Sequence, residues 1–271
     1  MVSTIGIYAG KGVLPLKVAQ SIKDSGKDVF IIAIKGLTDK GVEKFPHRWM
    51  RFGQIGLAMK MLHNNYCDEL VIIGGAHIPN FFLLFPDFSG LKLFFLLFKV
   101  RKNGDALIIK TIINYIESIQ RIKVVGADVF LQDFLMPKGT ITNTGLDKKS
   151  FTDISLAEET CIQLGIEDKG QACIVSNGKV IALEDINGTD YMLFRSFKDS
   201  KDQLKGGLLM KTLKPIQDPR VDLPTVGIDT LKLVKKIGLR GIILQSKKAF
   251  LIDKEKMIDF ANKENLFIHG I

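Results

Sequence analysis

Charged side chains gather in a proline-rich stretch of the chain, residues 208–227, which reads LLMKTLKPIQDPRVDLPTVG. Its prolines exclude a helix and predict an extended segment. Alternate residues of an extended chain share a face, so Asp218, Arg220 and Asp222 are expected on one side. Two carboxylates placed in this way can bind Mg²⁺, which prefers oxygen ligands and retains waters and substrate phosphates. A structural ladder of Asp–Arg–Asp salt bridges is the alternative interpretation.

Basic residues in the same stretch suit a phosphate-bearing substrate. Lys211 and Lys214 precede the acidic residues, and Arg220 lies between them. These cations would offset negative charge on reacting phosphates. A metal at the two carboxylates could polarise phosphoryl oxygens and activate a water. The segment therefore predicts metal-assisted chemistry on a phosphate ester or anhydride.

A second polar segment, residues 184–190, reads EDINGTD and lies between a predicted strand and a predicted helix. Thr189 suits the N-cap position of that helix. The acidic residues either cap the turn or, in the case of Glu184, add a ligand to the same metal site. The sequence leaves both interpretations open.

The third candidate site is a glycine-rich turn, AGKGVLP, at residues 9–15. Glycines between a strand and a helix let the backbone approach a phosphate, and the N–H groups of the helix start attract an anion. A tight turn without a ligand is the alternative. Pro15 replaces the third glycine of the dinucleotide motif, and no acidic residue ends the second strand, so a nicotinamide cofactor is disfavoured. A Walker loop is excluded because no Gly-Lys-Ser/Thr follows.

Alternating strand and helix patterns predict the elements that position these groups. In the first half, strands are expected at residues 4–8, 29–35, 69–73 and 123–125, and helices at 15–25, 54–65, 105–120 and 128–135. Nearly all-apolar strands separated by helices predict a Rossmann-like parallel sheet covered on both faces.

The character of the chain changes near residue 137, and residues 138–150 are predicted to be a linker. Beyond it, strands are expected at residues 171–176, 179–184, 208–213 and 241–244, and helices at 156–164, 254–263 and from Thr189 and Thr230. Asn177-Gly178 predicts a type I′ hairpin. The predicted domains are therefore residues 1–137, with a nucleotide or phosphate site, and a mixed α/β domain at 151–271 that carries the acidic segment.

Composition narrows the classes of protein. The 271 residues are 46% hydrophobic and 25% charged, as expected of a globular protein. Three widely spaced cysteines and no export signal favour reduced thiols in the cytoplasm. The formal net charge of +9 is spread along the chain without aromatic platforms, so no nucleic-acid partner is expected. The four histidines lack metal-ligand spacing.

Several segments together resemble one known family. AGKGVLP, GDALIIKTI, LGIEDKGQACIV, ALEDINGTDYMLFR and MKTLKPIQDPRVDLPTVGIDT are similar to the UDP-2,3-diacylglucosamine pyrophosphatases of the LpxI type, from lipid A biosynthesis. The resemblance covers essentially the whole chain. Two departures stand out: Lys11 replaces a usual glycine, and Ile78-Pro79 replaces an expected Arg-Pro.

The resemblance implies a Mg²⁺-dependent (or Mn²⁺-dependent) enzyme that hydrolyses UDP-2,3-diacylglucosamine to UMP and 2,3-diacylglucosamine 1-phosphate, with the lipid held by two domains. It implies an essential acid in QDPRVD, for which Asp218 is preferred to Asp222. The candidate metal ligands are Asp218, Asp222 and Glu184, and the candidate catalytic residues are Asp218, Asp222, Arg220, Lys211 and Lys214. The candidate substrate-binding residues are Gly10, Lys11, Gly12, Gly75, Gln171, Gly188, Thr189, Asp190 and Thr225.

An aromatic stretch, residues 81–98, is too interrupted to span a membrane. With Lys99, Arg101 and Lys102 beside it, it suits acyl chains or the cytoplasmic face of the inner membrane. Packing on its own sheet or on a second subunit is the alternative, so a homodimer stays open. Two other functions are kept: a non-catalytic sensor that binds a nucleotide or lipid, and a nucleotide-sugar oxidoreductase.

Overall fold

The computed structural model describes residues 3–75, 86–100, 104–199 and 201–271, and the chain forms two compact units. The first unit comprises residues 1–132 and 218–222, and the second comprises residues 133–217 and 223–271. The acidic segment, which the sequence analysis assigned to the C-terminal domain, thus groups by its contacts with the first unit.

The first unit is built on a parallel sheet. Its strands are β1 (Thr4–Ala9), β2 (Asp28–Ile34), β3 (His47–Met50), β4 (Cys67–Ile73) and β5 (Lys123–Val124). Its α-helices are α1 (Leu14–Asp24), α2 (Ile55–Asn64), α3 (Phe88–Val100) and α4 (Asp105–Asn114). All pairings in the order β3-β2-β1-β4-β5 are parallel, which confirms the predicted sheet.

Both faces of this sheet are buried. Phe30, Ile32 and Ile34 of β2 pack in one core cluster with buried residues of α2 and α3. Helix α1 packs against β1 and β2. Because parallel strands must be covered on both faces, β2 needs apolar residues at successive positions, as the sequence has. The strand order reverses between β1 and β4, because β2 and β3 are added on one side of β1 and β4 and β5 on the other. The carboxyl ends of β1 and β4 therefore mark the switch point at which such folds bind ligands.

Three local predictions for the first unit differ from the structure. Strand β3 was not predicted, because His47 and Arg48 at the sheet edge leave no apolar run. Residues 128–135 form two 3₁₀ turns, Ala127–Val129 and Gln132–Phe134, rather than an α-helix. The helix predicted to reach residue 120 ends as a π-helical turn, Tyr115–Ile119.

The second unit is a mixed α/β structure, as predicted. Its strands are β6 (Gly139–Thr140), β7 (Ala172–Ser176), β8 (Lys179–Leu183), β9 (Leu208–Lys211), β10 (Thr225–Val226), β11 (Gly241–Leu244), β12 (Phe250–Leu251) and β13 (Phe267–Gly270). Its α-helices are α5 (Lys148–Ile166), α6 (Thr189–Asp199), α7 (Lys201–Leu204), α8 (Ile228–Lys236) and α9 (Lys254–Lys263). The main sheet has the order β6-β13-β11-β9-β7-β8, and β10 pairs separately with β12.

Turn and cap residues explain the details of this unit. Asn177 and Gly178 have φ values of 52° and 70°, as the predicted type I′ hairpin requires. The predicted linker contains the edge strand β6 and the start of α5. That helix begins early because the Asp147 carboxylate accepts the backbone N–H of Ser150 at 2.8 Å, an N-cap contact.

Two physical properties of the chain follow from this packing. Among the residues that the structure describes, no helix has both the length and the apolar character of a membrane span. The cysteines are buried and free. Although they are distant in sequence, the Sγ atoms of Cys161 and Cys173 are 3.5 Å apart, because α5 packs on β7.

Candidate active site

The glycine-rich turn after β1 is joined to the loop after β4. Lys11 donates its backbone N–H to the Gly75 carbonyl at 2.8 Å, and Gly75 donates to the Lys11 carbonyl at 2.9 Å. A Cβ atom at Gly10 would lie 2.6 Å from the carbonyl oxygens of both Gly74 and Gly75. The glycines at this switch point therefore permit a close backbone approach that other residues would prevent.

Three N–H groups of the glycine-rich turn, those of Gly10, Lys11 and Gly12, have protein partners in this conformation. Gly10 donates to the Ile73 carbonyl at 2.8 Å, and Gly12 donates to the Asp39 carboxylate at 2.9 Å. An anion is thus already held at Gly12, but it belongs to the protein. This arrangement favours the tight-turn interpretation, because a phosphate would have to displace Asp39.

The acidic segment forms a turn and not the extended chain that its prolines predicted. Val221 donates its N–H to the Asp218 carbonyl at 3.2 Å, with Pro219 at the second position of the turn. The Asp218 carboxylate also accepts the backbone N–H of Arg220 at 3.0 Å. Aspartate is common at the first position of a β-turn and proline at the second. The sequence Asp-Pro-Arg therefore favours a turn, which the prediction of an extended chain did not take into account. The predicted alternation of residues 218, 220 and 222 on one face is therefore wrong.

This turn places the Arg220 guanidinium directly against Asp218. Nε lies 3.0 Å from Oδ1 and Nη2 lies 2.8 Å from Oδ2, which is a bidentate pair. Hydrogen bonding from Arg220 holds the pKa of Asp218 below its usual value, and Asp218 raises the pKa of Arg220. Asp218 is therefore ionised at neutral pH, with its side chain 22% exposed to solvent.

Glu117 completes the network within the first unit. Arg220 Nη1 donates to Glu117 Oε1 at 2.9 Å, and the same oxygen accepts the Val124 backbone N–H at 3.1 Å. Glu117 lies on the π-helical turn, a rare conformation that is frequent at functional sites. Sequence reasoning missed Glu117, because no short-range pattern predicts such a turn or its approach to a residue 103 positions later.

A cavity of about 370 Å³ adjoins this network and is lined by Glu117, Arg121, Ile122 and Lys123. It presents two cationic side chains beside the Glu117 carboxylate. Anionic groups of a substrate would be attracted to such a surface. Asp222, at the end of the turn, is exposed.

In the second unit, Glu184 is a buried hydrogen-bond acceptor. Oε2 accepts the Gln171 backbone N–H at 2.7 Å, and Oε1 accepts the Thr189 hydroxyl at 2.5 Å. Thr189 thus donates to Glu184 and is the first residue of α6, which differs from its predicted N-cap role. The three residues tie the start of β7 to the start of α6.

The lysines of the predicted site also lie in this unit. Lys214 pairs with Asp168 at 2.7 Å, and both side chains are at most 15% exposed. Lys211 donates to the Thr225 carbonyl at 3.4 Å. Residues just before β7 and just after β9 meet, since Thr212 donates its N–H to the Gln171 carbonyl at 2.9 Å.

The remaining predicted substrate residues lie at the start of α6. Gly188 has a φ of 86°, which favours glycine. The Asp190 carboxylate accepts the Thr230 hydroxyl at 2.9 Å. Within the second unit the structure therefore brings together Gln171, Glu184 and Thr189. Lys211, which contacts Thr225, lies beside this group because it pairs with Ala172 of β7.

Comparison with known proteins identifies the chain. Two family models match it, the LpxI N-terminal domain over residues 4–134 and the LpxI C-terminal domain over residues 137–269. The chain belongs to the LpxI family. It is also 29% identical, over 98% of its length and 97% of the relative, to the UDP-2,3-diacylglucosamine pyrophosphatase LpxI of Caulobacter vibrioides.

The candidate metal ligands of this LpxI-family chain do not form a protein-held metal site. No group of three or more His, Cys, Asp or Glu side chains is arranged to hold a metal ion within the described ranges. Both Glu184 oxygens accept hydrogen bonds inside the second unit, and both Asp218 oxygens face Arg220. For Asp218 and Arg220, the structural salt-bridge interpretation describes the geometry of this conformation.

The loop of the second LpxI departure, Ile78-Pro79, lies outside the described residues, as do residues 81–85, Arg101 and Lys102. Helix α3 carries the described part of the aromatic stretch. Phe88 is 85% exposed, and Leu91, Phe95 and Phe98 are exposed as well. Their spacing places them on one face of the helix, so α3 presents an apolar stripe to solvent.

Proposed function

We propose that the protein hydrolyses the pyrophosphate bond of UDP-2,3-diacylglucosamine to UMP and 2,3-diacylglucosamine 1-phosphate in lipid A biosynthesis. The observation that carries the proposal is the match of both LpxI domain models, which together span nearly the whole chain. The named Caulobacter relative supports the same substrate, because it aligns along 97% of its own length.

The Asp218–Arg220–Glu117 network gives this proposal its chemistry. Hydrolysis adds one water across the anhydride: the water oxygen bonds to one phosphorus, and the bridging oxygen leaves with the other phosphate. An ionised Asp218 can accept a hydrogen bond from that water and orient it. Arg220, with its raised pKa, stays charged and can offset charge on phosphate oxygens.

We include Mg²⁺ or Mn²⁺ dependence in the proposal, in a form consistent with the geometry. Mg²⁺ commonly binds through one or two carboxylates together with substrate phosphates, and so requires no preformed cluster of three acids. Such an ion would partly neutralise the negative charge of the diphosphate, which otherwise disfavours the approach of a water molecule to phosphorus. Glu184 is buried with both oxygens engaged and is a poor candidate ligand. Asp222 is exposed, whereas Asp218 would have to share with the ion the oxygens that now face Arg220.

Release of UMP from UDP-2,3-diacylglucosamine tests the proposal directly. With Mg²⁺ or Mn²⁺ present, the wild-type protein should form UMP, and chelation of the metal should stop the reaction. Asp218→Asn should lower kcat by about 10²–10⁴-fold, the usual contribution of a positioned base. Asp229→Asn, at a side chain 86% exposed on α8, is the matched control and should keep full activity. Substrate binding without UMP formation under any divalent metal would instead favour a non-catalytic sensor.

We further propose that the protein contacts the cytoplasmic face of the inner membrane through the α3 stripe. Phe95 and Phe98 are exposed, and α3 contains Lys92 and Lys99 but no acidic residue. Exposed aromatics beside lysines are typical of helices that bind anionic lipid surfaces.

Vesicle sedimentation tests this contact. The wild-type protein should bind phosphatidylglycerol vesicles more strongly than phosphatidylcholine vesicles, and Phe95→Ser/Phe98→Ser should weaken binding. Phe151→Ser, at an exposed phenylalanine of α5, should not. Equal binding of all three proteins would exclude α3 as the contact.

A further inference from the structure

Strand β8 is an apolar edge of the second unit's main sheet. It pairs with β7 on one side and ends the order β6-β13-β11-β9-β7-β8. Four successive residues, Val180–Leu183, carry no charge, and Val180 and Leu183 are exposed. Exposed apolar edges attract other strands because their backbone N–H and C=O groups lack ladder partners.

The other edges of the two main sheets are protected in ordinary ways. Strand β3 carries His47 and Arg48, whereas β5 and β6 are two residues long. Short and charged edges resist pairing with another chain. Strand β8 is five residues long and its one charged residue is Lys179 at its start, so Val180–Leu183 lack this protection.

A cavity of about 360 Å³ is formed by β8 and α6 and is lined by Val180–Leu183 together with Arg195, Ser196 and Asp199. Successive side chains of a strand point to opposite faces of the sheet. A cavity that touches four consecutive residues of β8 is therefore best explained by a position along the edge of the strand, where both sets of side chains can be reached. Two hydrogen bonds made by backbone groups agree with a cavity along this edge. Glu184 donates its N–H toward β7, to the Ala172 carbonyl, and the neighbouring Leu183 carbonyl accepts from Arg195 of α6 at 3.3 Å.

Further apolar residues continue the surface. Ile186, three residues after β8, is 97% exposed, and Tyr191 and Phe194 of α6 are exposed one helical turn apart. Exposed isoleucine and aromatic side chains near an apolar strand edge are of the types enriched at protein interfaces.

We propose that β8 pairs antiparallel with β8 of a second copy of this chain, forming a two-fold dimer with a continuous sheet. An antiparallel pair of identical strands is self-complementary, as a two-fold interface requires. The charges agree, because β8 begins at Lys179 and is followed by Asp185. Antiparallel pairing brings Lys179 of one copy toward Asp185 of the other, where it would join the ion pair that Asp185 makes with Arg195 of its own chain at 2.9 Å. Helices α6 then lie side by side on one face of the joined sheet and cover Tyr191 and Phe194.

Sedimentation equilibrium on the full chain tests this dimer. The wild-type protein should be dimeric, whereas Leu183→Lys and Leu183→Glu should each raise the dimer dissociation constant at least about tenfold. Ile162→Lys, at a comparably exposed apolar residue of α5, should stay dimeric. Mixing the Lys and Glu variants in equal amounts should restore dimers, because the two residues 183 are diagonal neighbours across the strand pair, within reach of a long side chain of opposite charge.

Hydrogen exchange supplies a second measurement on the unmodified protein. The backbone amides of Ile181 and Leu183 should exchange slowly at high concentration and faster on dilution. A wild-type protein that is monomeric across the concentration range overturns the proposal. So does a dimer that both Leu183 variants leave intact while their thermal unfolding matches wild type.

Discussion

Replacement of Glu184 separates a structural role from a metal-binding role. Glu184→Ala removes the acceptor of the Gln171 N–H and of the Thr189 hydroxyl, both inside the second unit. Hydrogen bonds to charged groups contribute about 1.5–3 kcal/mol each, and part of that loss is recovered by relaxation or entry of water. We therefore expect a loss of about 3 kcal/mol in unfolding free energy. At roughly 2–4 °C per kcal/mol, the Tm should fall by about 6–12 °C.

The assay is thermal unfolding without metal and then across a Mg²⁺ titration. Glu184→Gln should cost only about 1 kcal/mol, since its carboxamide can accept from Gln171 and donate to Thr189. Glu158→Ala, at an exposed glutamate of α5, is the control and should keep the wild-type Tm. The reasoning is refuted if Glu184→Ala unfolds at the wild-type temperature without metal but loses a Mg²⁺-dependent rise in Tm. That outcome would make Glu184 a ligand.

Three further outcomes follow from the geometry. Gly10→Ala should lower the Tm and the rate of UMP release, because its Cβ would lie 2.6 Å from two backbone carbonyl oxygens, whereas Gly145→Ala, in open space, should change neither. The pKa of Asp218 is lowered mainly by hydrogen bonding to Arg220. The ionised Asp218 therefore stabilises the fold at any pH above its pKa in the unfolded chain, about 3.9, and this stabilisation is lost as the pH falls through its lower pKa in the folded protein. Arg220→Gln should raise that pKa in a carboxyl NMR titration, and an unchanged value would contradict the ion pair. The hydrogen bond from Cys161 and burial raise the pKa of the Cys173 thiol, so alkylation of Cys173 should require unfolding, and rapid labelling of the native protein would argue against the packing of α5 on β7.

Much of the fold was predictable because its signals are local. Strand β11 and helix α9 begin and end where apolar periodicity placed them. Asn-Gly gave the type I′ hairpin, since few other pairs accept positive φ at both positions. Strand β3 was missed because its burial comes from pairing with β2 and not from its own composition.

The candidate site was less predictable, because its partners are distant in sequence. Asp218 and Arg220 were named from the sequence, but their mutual contact depends on a turn that was read as an extended chain. Glu117 was not named, since its approach to Arg220 requires the folded sheet. Asp168, which pairs with Lys214, and Asp39, which binds Gly12, were missed for the same reason.

The inclusion of residues 218–222 in a unit otherwise made from residues 1–132 has a consequence for synthesis. During translation the first 132 residues leave the ribosome long before Arg220 is made. Glu117 therefore has no ion pair with Arg220 while most of the second unit is being synthesised. A polypeptide stopped between the two family domains would lack Asp218 and Arg220 altogether. Such a fragment could form its complete parallel sheet and still have no hydrolytic activity. Release of UMP should return only when the N-terminal and C-terminal fragments are supplied together.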